Sequence, residues 1–87
     1  MAFEEAGIET VRAEFQKWIS YSINRLIENG ASPDDITEHS EGPGEFAPMV
    51  IKVQGEPIVR VVVYTWKEGE KNLVQVEVQE RKWENEL

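Results

Sequence analysis

Residues 48–80, PMVIKVQGEPIVRVVVYTWKEGEKNLVQVEVQE, decide the fold. Within them Met49, Ile51 and Val53 alternate with Val50, Lys52 and Gln54. Val59, Val61, Val63 and Thr65 then alternate with Ile58, Arg60, Val62, Tyr64 and Trp66. A third run sets Val74, Val76 and Val78 against Leu73, Gln75, Glu77 and Gln79. A period of two with β-branched residues, broken at Gln54-Gly55-Glu56-Pro57 and Glu68-Gly69, predicts three strands joined by two hairpins. A loop at 54–56 sets Ile51 opposite Val59 and Met49 opposite Val61. A Glu68-Gly69 turn sets Val63 opposite Val74, Val61 opposite Val76 and Val59 opposite Val78. Either choice gathers one aliphatic set on a single face, which is what specifies register when that face is buried.

The cover for that face lies upstream. Ile8, Val11, Phe15, Ile19, Ser22 and Leu26, flanked by Trp18 and Ile23, recur at helical spacing and fall in a stripe roughly 140° wide. Asn29-Gly30 supplies a stop, since glycine adopts the left-handed conformation freely. The helix is expected over about 8–29, with Phe3 to Ala6 either extending it or making a separate turn. Ser32-Pro33-Asp34-Asp35 has the form of a helix start, but Ser40-Glu41-Gly42-Pro43-Gly44 follows closely as a loop. Residues 30–47 therefore form a long, acidic, mostly irregular connection. The expected architecture is one α+β domain over 1–87: an N-terminal helix on a three-stranded antiparallel meander at about 48–80, with 81–87 as a tail.

Eighty-seven residues suit one domain, and such a chain buries only about 60–65% of its unfolded surface. With no cysteine, disulfides and thiolate chemistry are excluded. Met1 to Gly7 has neither the basic nor the apolar region of a signal peptide, and Val61-Val62-Val63-Tyr64 is too short to span a bilayer. A cytoplasmic location without membrane contact is expected. The net charge of −8 is uneven: residues 1–48 hold ten acidic and three basic side chains, residues 49–87 seven and six. Glu28, Asp34, Asp35, Glu38, Glu41 and Glu45 run without an intervening Lys or Arg. Direct nucleic-acid binding needs clustered cations and is not expected. The acidity either solubilises the chain or suits a basic protein partner.

Catalytic residues are few. His39 is the single histidine, no serine sits in a nucleophile elbow, and no glycine-rich phosphate loop follows a strand. If residues 33–39 make a helical turn, Asp35 and His39 share a face and, with Glu38, are the one group to weigh for a metal or acid–base role. Capping explains carboxylates at a helix start equally well. No catalytic residue, metal or cofactor is assigned.

Two surfaces remain as candidates for partner binding. With the valines turned to the helix, Ile58, Arg60, Val62, Tyr64 and Trp66 point away, beside Leu73 and Gln75. A solvated sheet face alternates to polar residues, whereas Val62, Tyr64, Trp66 and Leu73 form an aromatic-rich patch suited to a protein contact, most simply a homodimer. Two arrangements remove this patch: Trp83 and the tail folding over it, or the helix lying on this face instead. The second surface is Asp34, Asp35, Glu38 and Glu41. In size and charge the chain is similar to small acidic inhibitors that imitate phosphate charge, such as phage-encoded anti-restriction or anti-CRISPR proteins, with no shared motif. Helix-then-meander order also occurs in cystatins, but Gln54-Gly55-Glu56-Pro57 does not supply their Gln-x-Val-x-Gly loop. The leading expectation is a non-enzymatic protein-binding module, an inhibitor or adaptor; the alternatives are a phosphate mimic, an assembly subunit and, last, a small metal-dependent enzyme.

Overall fold

The computed structural model describes residues 2–4 and 7–80. The expectations for the tail and for Trp83 lie outside the described residues. One helix, α1 (Ile8–Glu28), crosses an antiparallel sheet built from β2 (Ile36–Ser40), β3 (Met49–Val53), β4 (Glu56–Glu68) and β5 (Lys71–Glu80), which the three-residue β1 (Ala2–Glu4) extends at one edge. The strand order is β1-β5-β4-β3-β2. The fold is α+β, but it has more strands than the three expected. No described helix is long and apolar enough to cross a membrane.

The helix ends where the sequence signals it. Gly30 takes φ +105°, its N–H donates to the Ile27 carbonyl, and the Ala31 N–H donates to Leu26. Those two bonds make a Schellman motif that satisfies carbonyls left open by the last turn. Ser22, a polar residue inside the apolar stripe, is buried, and its hydroxyl donates to the Trp18 carbonyl at 2.8 Å. Back-bonding to the preceding turn is how serine is accommodated within a helix.

Phe15 and Ile19 pack on Ile51, Val59, Val61 and Val76 to form the core, with Ile51 and Val61 fully buried. The helix therefore covers the valine face, and the outer face carries Arg60, Val62, Tyr64 and Trp66. Two members of the expected interface stand apart. Ile8 is 58% exposed, because it begins the helix beyond the sheet's buried centre. Val78 is 36% exposed; among the described residues β1 pairs only with Leu73 to Gln75, short of Val78.

The first hairpin reaches the expected pairs, Met49 with Val61 and Ile51 with Val59, by a different route. The turn is two residues, Gln54 and Gly55, both at positive φ (+51° and +81°), as a type I′ turn requires. A bulge between Ile51 and Lys52 then absorbs Ile58, so the ladder passes from Pro57 to Val59. Pro57 has no N–H to donate, and a bulge is where a sheet tolerates that loss. The extra residue also turns Ile58 toward the core side, against the outward placement that alternation predicts.

In the second hairpin the expected register is wrong by two residues. Val63 faces Val76, Val61 faces Val78 and Val59 faces Glu80. The turn is Gly69-Glu70, closed by Glu68 and Lys71, with Gly69 at φ +63°. Glycine at the first of two turn positions is the type II′ preference, which Glu68-Gly69 would place second.

The largest correction concerns residues 30–47. Pro33–Asp35 is a single 3-10 turn, and Ile36–Ser40 is a strand paired in register with Val53 back to Met49. The irregular acidic connection shrinks to residues 41–48. Phe46 in that remainder meets the Phe15 ring edge-on at 6.1 Å, which ties the loop to the core. At the other end Ala2–Glu4 pairs with β5 rather than extending the helix.

Candidate functional site

Alternation along β4 sends Val62, Tyr64 and Trp66 to the outer face, with Leu73 and Gln75 of β5 opposite Trp66 and Tyr64. Tyr64 is 42% exposed and Trp66 36%, Leu73 is half-buried, and Val62 is only 6% exposed. The described helix lies on the opposite face of the sheet from Val62. Gln79 donates its side-chain amide to the Tyr64 hydroxyl at 3.0 Å, yet it sits opposite Arg60, four residues from Tyr64 along β4. Those rows are roughly 13 Å apart at ~3.3 Å per residue, so the two side chains lean toward each other across Val62. Tyr64 is thus tied across the strands to Gln79 while remaining partly exposed.

Trp66 stands at the end of this strip. It lines an open cleft with Ile8, Val11, Phe46 and Leu73, where the twisted ends of β4 and β5 approach the start of α1. Apolar surface therefore continues from Tyr64 through Trp66 to Ile8, around the end of the sheet. Val62, Tyr64, Trp66 and Leu73 are brought together as anticipated. Ile8 was missed as a surface residue, because helical spacing places it in the core stripe. Its position at the first turn, before the stripe has a floor beneath it, is the signal that marks it.

The acidic candidates do not converge. Asp34 is exposed on the 3-10 turn. Asp35 accepts the Gln54 side-chain amide at 3.1 Å and, through its carbonyl, the Gln54 backbone N–H at 2.9 Å. Both bonds anchor a non-glycine residue in the left-handed region, a structural use of Asp35. Glu38 and His39 are neighbours on a strand and so face opposite sides of the sheet. The helical face that would unite Asp35 with His39 does not form. Among the described residues no group of three or more His, Asp or Glu is placed to hold a metal ion.

Two further acids are met by arginines distant in sequence. Glu41 lies 2.9 Å from Arg60 on the outer face, and Glu45 is bonded to Arg12 on the helix. The hydrogen bond from Arg12 is the main cause holding the Glu45 carboxyl below its usual range; burial opposes it, and the charge of Arg12 adds the smallest contribution. The pair's stabilisation is therefore fully present above the ordinary glutamate value and is lost as pH falls through the lowered one. Comparing thermal melts of wild type and Glu45→Gln from neutral pH to pH 3 is expected to show a gap that closes on acidification. That gap should be small and should shrink with salt, because both groups are exposed. Glu28 interacts with the charge of Arg25 one turn before it, which leaves Asp34 and Glu38 without such a pairing among the described residues, a thinner patch than composition suggests.

The site is thus an apolar, aromatic strip bordered by a dispersed negative surface. Comparison with protein-family models, with curated proteins and with solved structures finds no match to this chain.

Proposed function

We propose that this protein is a non-enzymatic protein-binding module, a small acidic inhibitor or adaptor, whose partner docks on the outer sheet face. The observation that carries the reading is the exposed pair Tyr64 and Trp66 on a sheet face with no described layer above it, with Ile8 beside Trp66 in the cleft at the sheet's end. Aromatic side chains held in place by neighbours offer large contact area at low entropic cost, as the cores of protein interfaces do. Leu73 extends the strip above the buried Val62, and the simplest occupant is a second copy in a two-fold pair.

Light scattering coupled to size exclusion tests this directly on wild type and Trp66→Glu. Wild type is expected to run near twice the chain's mass at tens of micromolar, and Trp66→Glu as a folded monomer. A monomeric wild type at every concentration ends the homodimer version and leaves an unlike partner. If Trp66→Glu associates as strongly as wild type, the outer face is not the contact.

A second reading, a phosphate-charge mimic that inhibits a DNA- or RNA-binding enzyme, draws on the exposed Asp34 and Glu38. It has less support, because Arg60 and Arg12 partner Glu41 and Glu45. Binding that weakens steeply with salt and on charge reversal at Asp34 and Glu38 is the result that would favour it.

A further inference from the structure

The strand β2, absent from the expected topology, forms one edge of the sheet. Its backbone direction follows from two bonds at its ends. The Gln54 N–H donates to the Asp35 carbonyl, and the Glu41 N–H donates to the Pro48 carbonyl. Both pairs share the strand's register, so residues 35, 37, 39 and 41 point their backbone groups at β3. Antiparallel ladders alternate, which turns the groups of Ile36, Glu38 and Ser40 outward. The Ile36 N–H is already donated to the Pro33 carbonyl. Among the described residues, what remains at the open edge is the N–H and C=O of both Glu38 and Ser40, with the C=O of Ile36. This is a short row of paired donors and acceptors, spaced as an added strand requires.

We propose that β2 is a docking edge for an extended basic segment of a partner protein, which adds to the sheet as a further antiparallel strand. Charge selects this occupant. Glu38 is exposed at the centre of the edge, and exposed Asp34 precedes it. The cations nearest in register, Lys52 and Arg60, stand on inner strands on the outer face, and Arg60 is matched to Glu41. A Lys or Arg opposite Glu38 gains a cross-strand partner, while main-chain bonds supply sequence-tolerant affinity. A second copy fits poorly. Pairing β2 with itself draws two Glu38 carboxylates and two sets of Asp34 and Asp35 to one seam, between chains of net charge −8. This surface is separate from the aromatic strip, so either can fail alone.

Charges on an edge strand also serve to repel other strands, and the two roles give opposite forecasts. The experiment uses the full chain, isotope-labelled, with the peptide acetyl-Lys-Val-Lys-Val-Lys-Val-Lys-amide and its Glu-for-Lys counterpart. Saturating basic peptide is expected to slow amide exchange at Glu38 and Ser40 about tenfold, while the acidic peptide leaves them unchanged. Glu38→Gln keeps the outward N–H but loses the charge, and should weaken binding about fivefold. Glu38→Pro also removes that N–H without touching the β3 ladder, and should weaken binding about tenfold or more. Melting curves establish that each variant folds; if the proline variant does not, the exchange map with Glu38→Gln decides.

Three results would overturn the proposal. One is equal binding of the acidic and basic peptides. Another is a peptide footprint on Tyr64 and Trp66 with none on Glu38 and Ser40, which assigns the peptide to the aromatic strip. The third is protection of the Glu38 and Ser40 amides that grows with protein concentration in the absence of peptide, which identifies a second copy as the occupant.

Discussion

Phe15→Ala is expected to lower the unfolding free energy by about 3–5 kcal/mol, the usual range for deleting a buried aromatic ring. Phe15 is 2% exposed, packs at the centre of the helix–sheet interface and holds Phe46 of the 41–48 segment edge-on. Two contacts are therefore lost together: the floor against α1 and the loop against the helix. Total stability for a domain of this size is on the order of 0.1 kcal/mol per residue, so the variant loses a large fraction of it while remaining folded in water. Urea titration followed by circular dichroism should show a much lower midpoint with little change in slope. Ile8→Ala, on the same stripe at the helix start, is expected to cost less than about 0.5 kcal/mol. Similar losses at the two positions would mean that the stripe is buried evenly along its length, contrary to the exposed first turn.

That contrast shows what kind of information the sequence carries. Periodicity identifies the helix, the three central strands and the face they share, because burial on one side imposes a period that single residues cannot hide. It is blind to a slip of two. Moving β5 by two residues along β4 returns every valine to the same face, so the face argument supports both registers equally. Turn chemistry separates them: Gly69 belongs in the first turn position, and that choice alone gives the observed pairing. At the first hairpin, Pro57 and the run Ile58-Val59 signal a bulge, yet a longer loop predicts the same pairs beyond it. What differs is the placement of Ile58 and the pairs next to the turn, Lys52 with Pro57 and Val53 with Glu56.

β2 was hidden for another reason. It carries one inward apolar residue, Ile36, followed by Thr37, Glu38, His39 and Ser40. Edge strands are shielded on one side only and tolerate charge, so they lack the alternation on which strand recognition depends. The same composition that conceals β2 as a strand leaves its outward edge polar and acidic. The candidate sites divide in the same way. Tyr64 and Trp66 were legible because they break a rule, lying apolar where a solvated face should be polar. Asp35 and Glu41 follow the ordinary pattern of acidic loops, and their attachments to Gln54 and Arg60 depend on distances that no local pattern encodes.

A pair of adjacent substitutions tests whether the outer face is open. Val61 and Val62 are both nearly inaccessible, at 0% and 6%, but for different reasons. Val61 lies under α1 in the core, where a carboxylate has no route to water and no cation beside it. Val61→Asp is expected to cost roughly 4 kcal/mol or more and to leave the chain unfolded at 25 °C. Val62 lies on the outer face beside the exposed Tyr64, where displacing neighbouring side chains lets a carboxylate reach solvent. Val62→Asp is therefore expected to cost only about 1–2 kcal/mol, mostly lost packing and strand preference. Denaturation curves of the two variants, measured side by side, read the difference. If Val62→Asp unfolds the chain as Val61→Asp does, the outer face supports a further packed layer, and the docking of a partner on Tyr64 and Trp66 is untenable. If it folds, its negative charge sits at the centre of the strip, and any assembly formed there should dissociate without loss of the fold. Folding stability and association then respond to different residues on one strand, Val61 governing the first and Val62 the second, as expected of a sheet with one face in the core and the other at an interface.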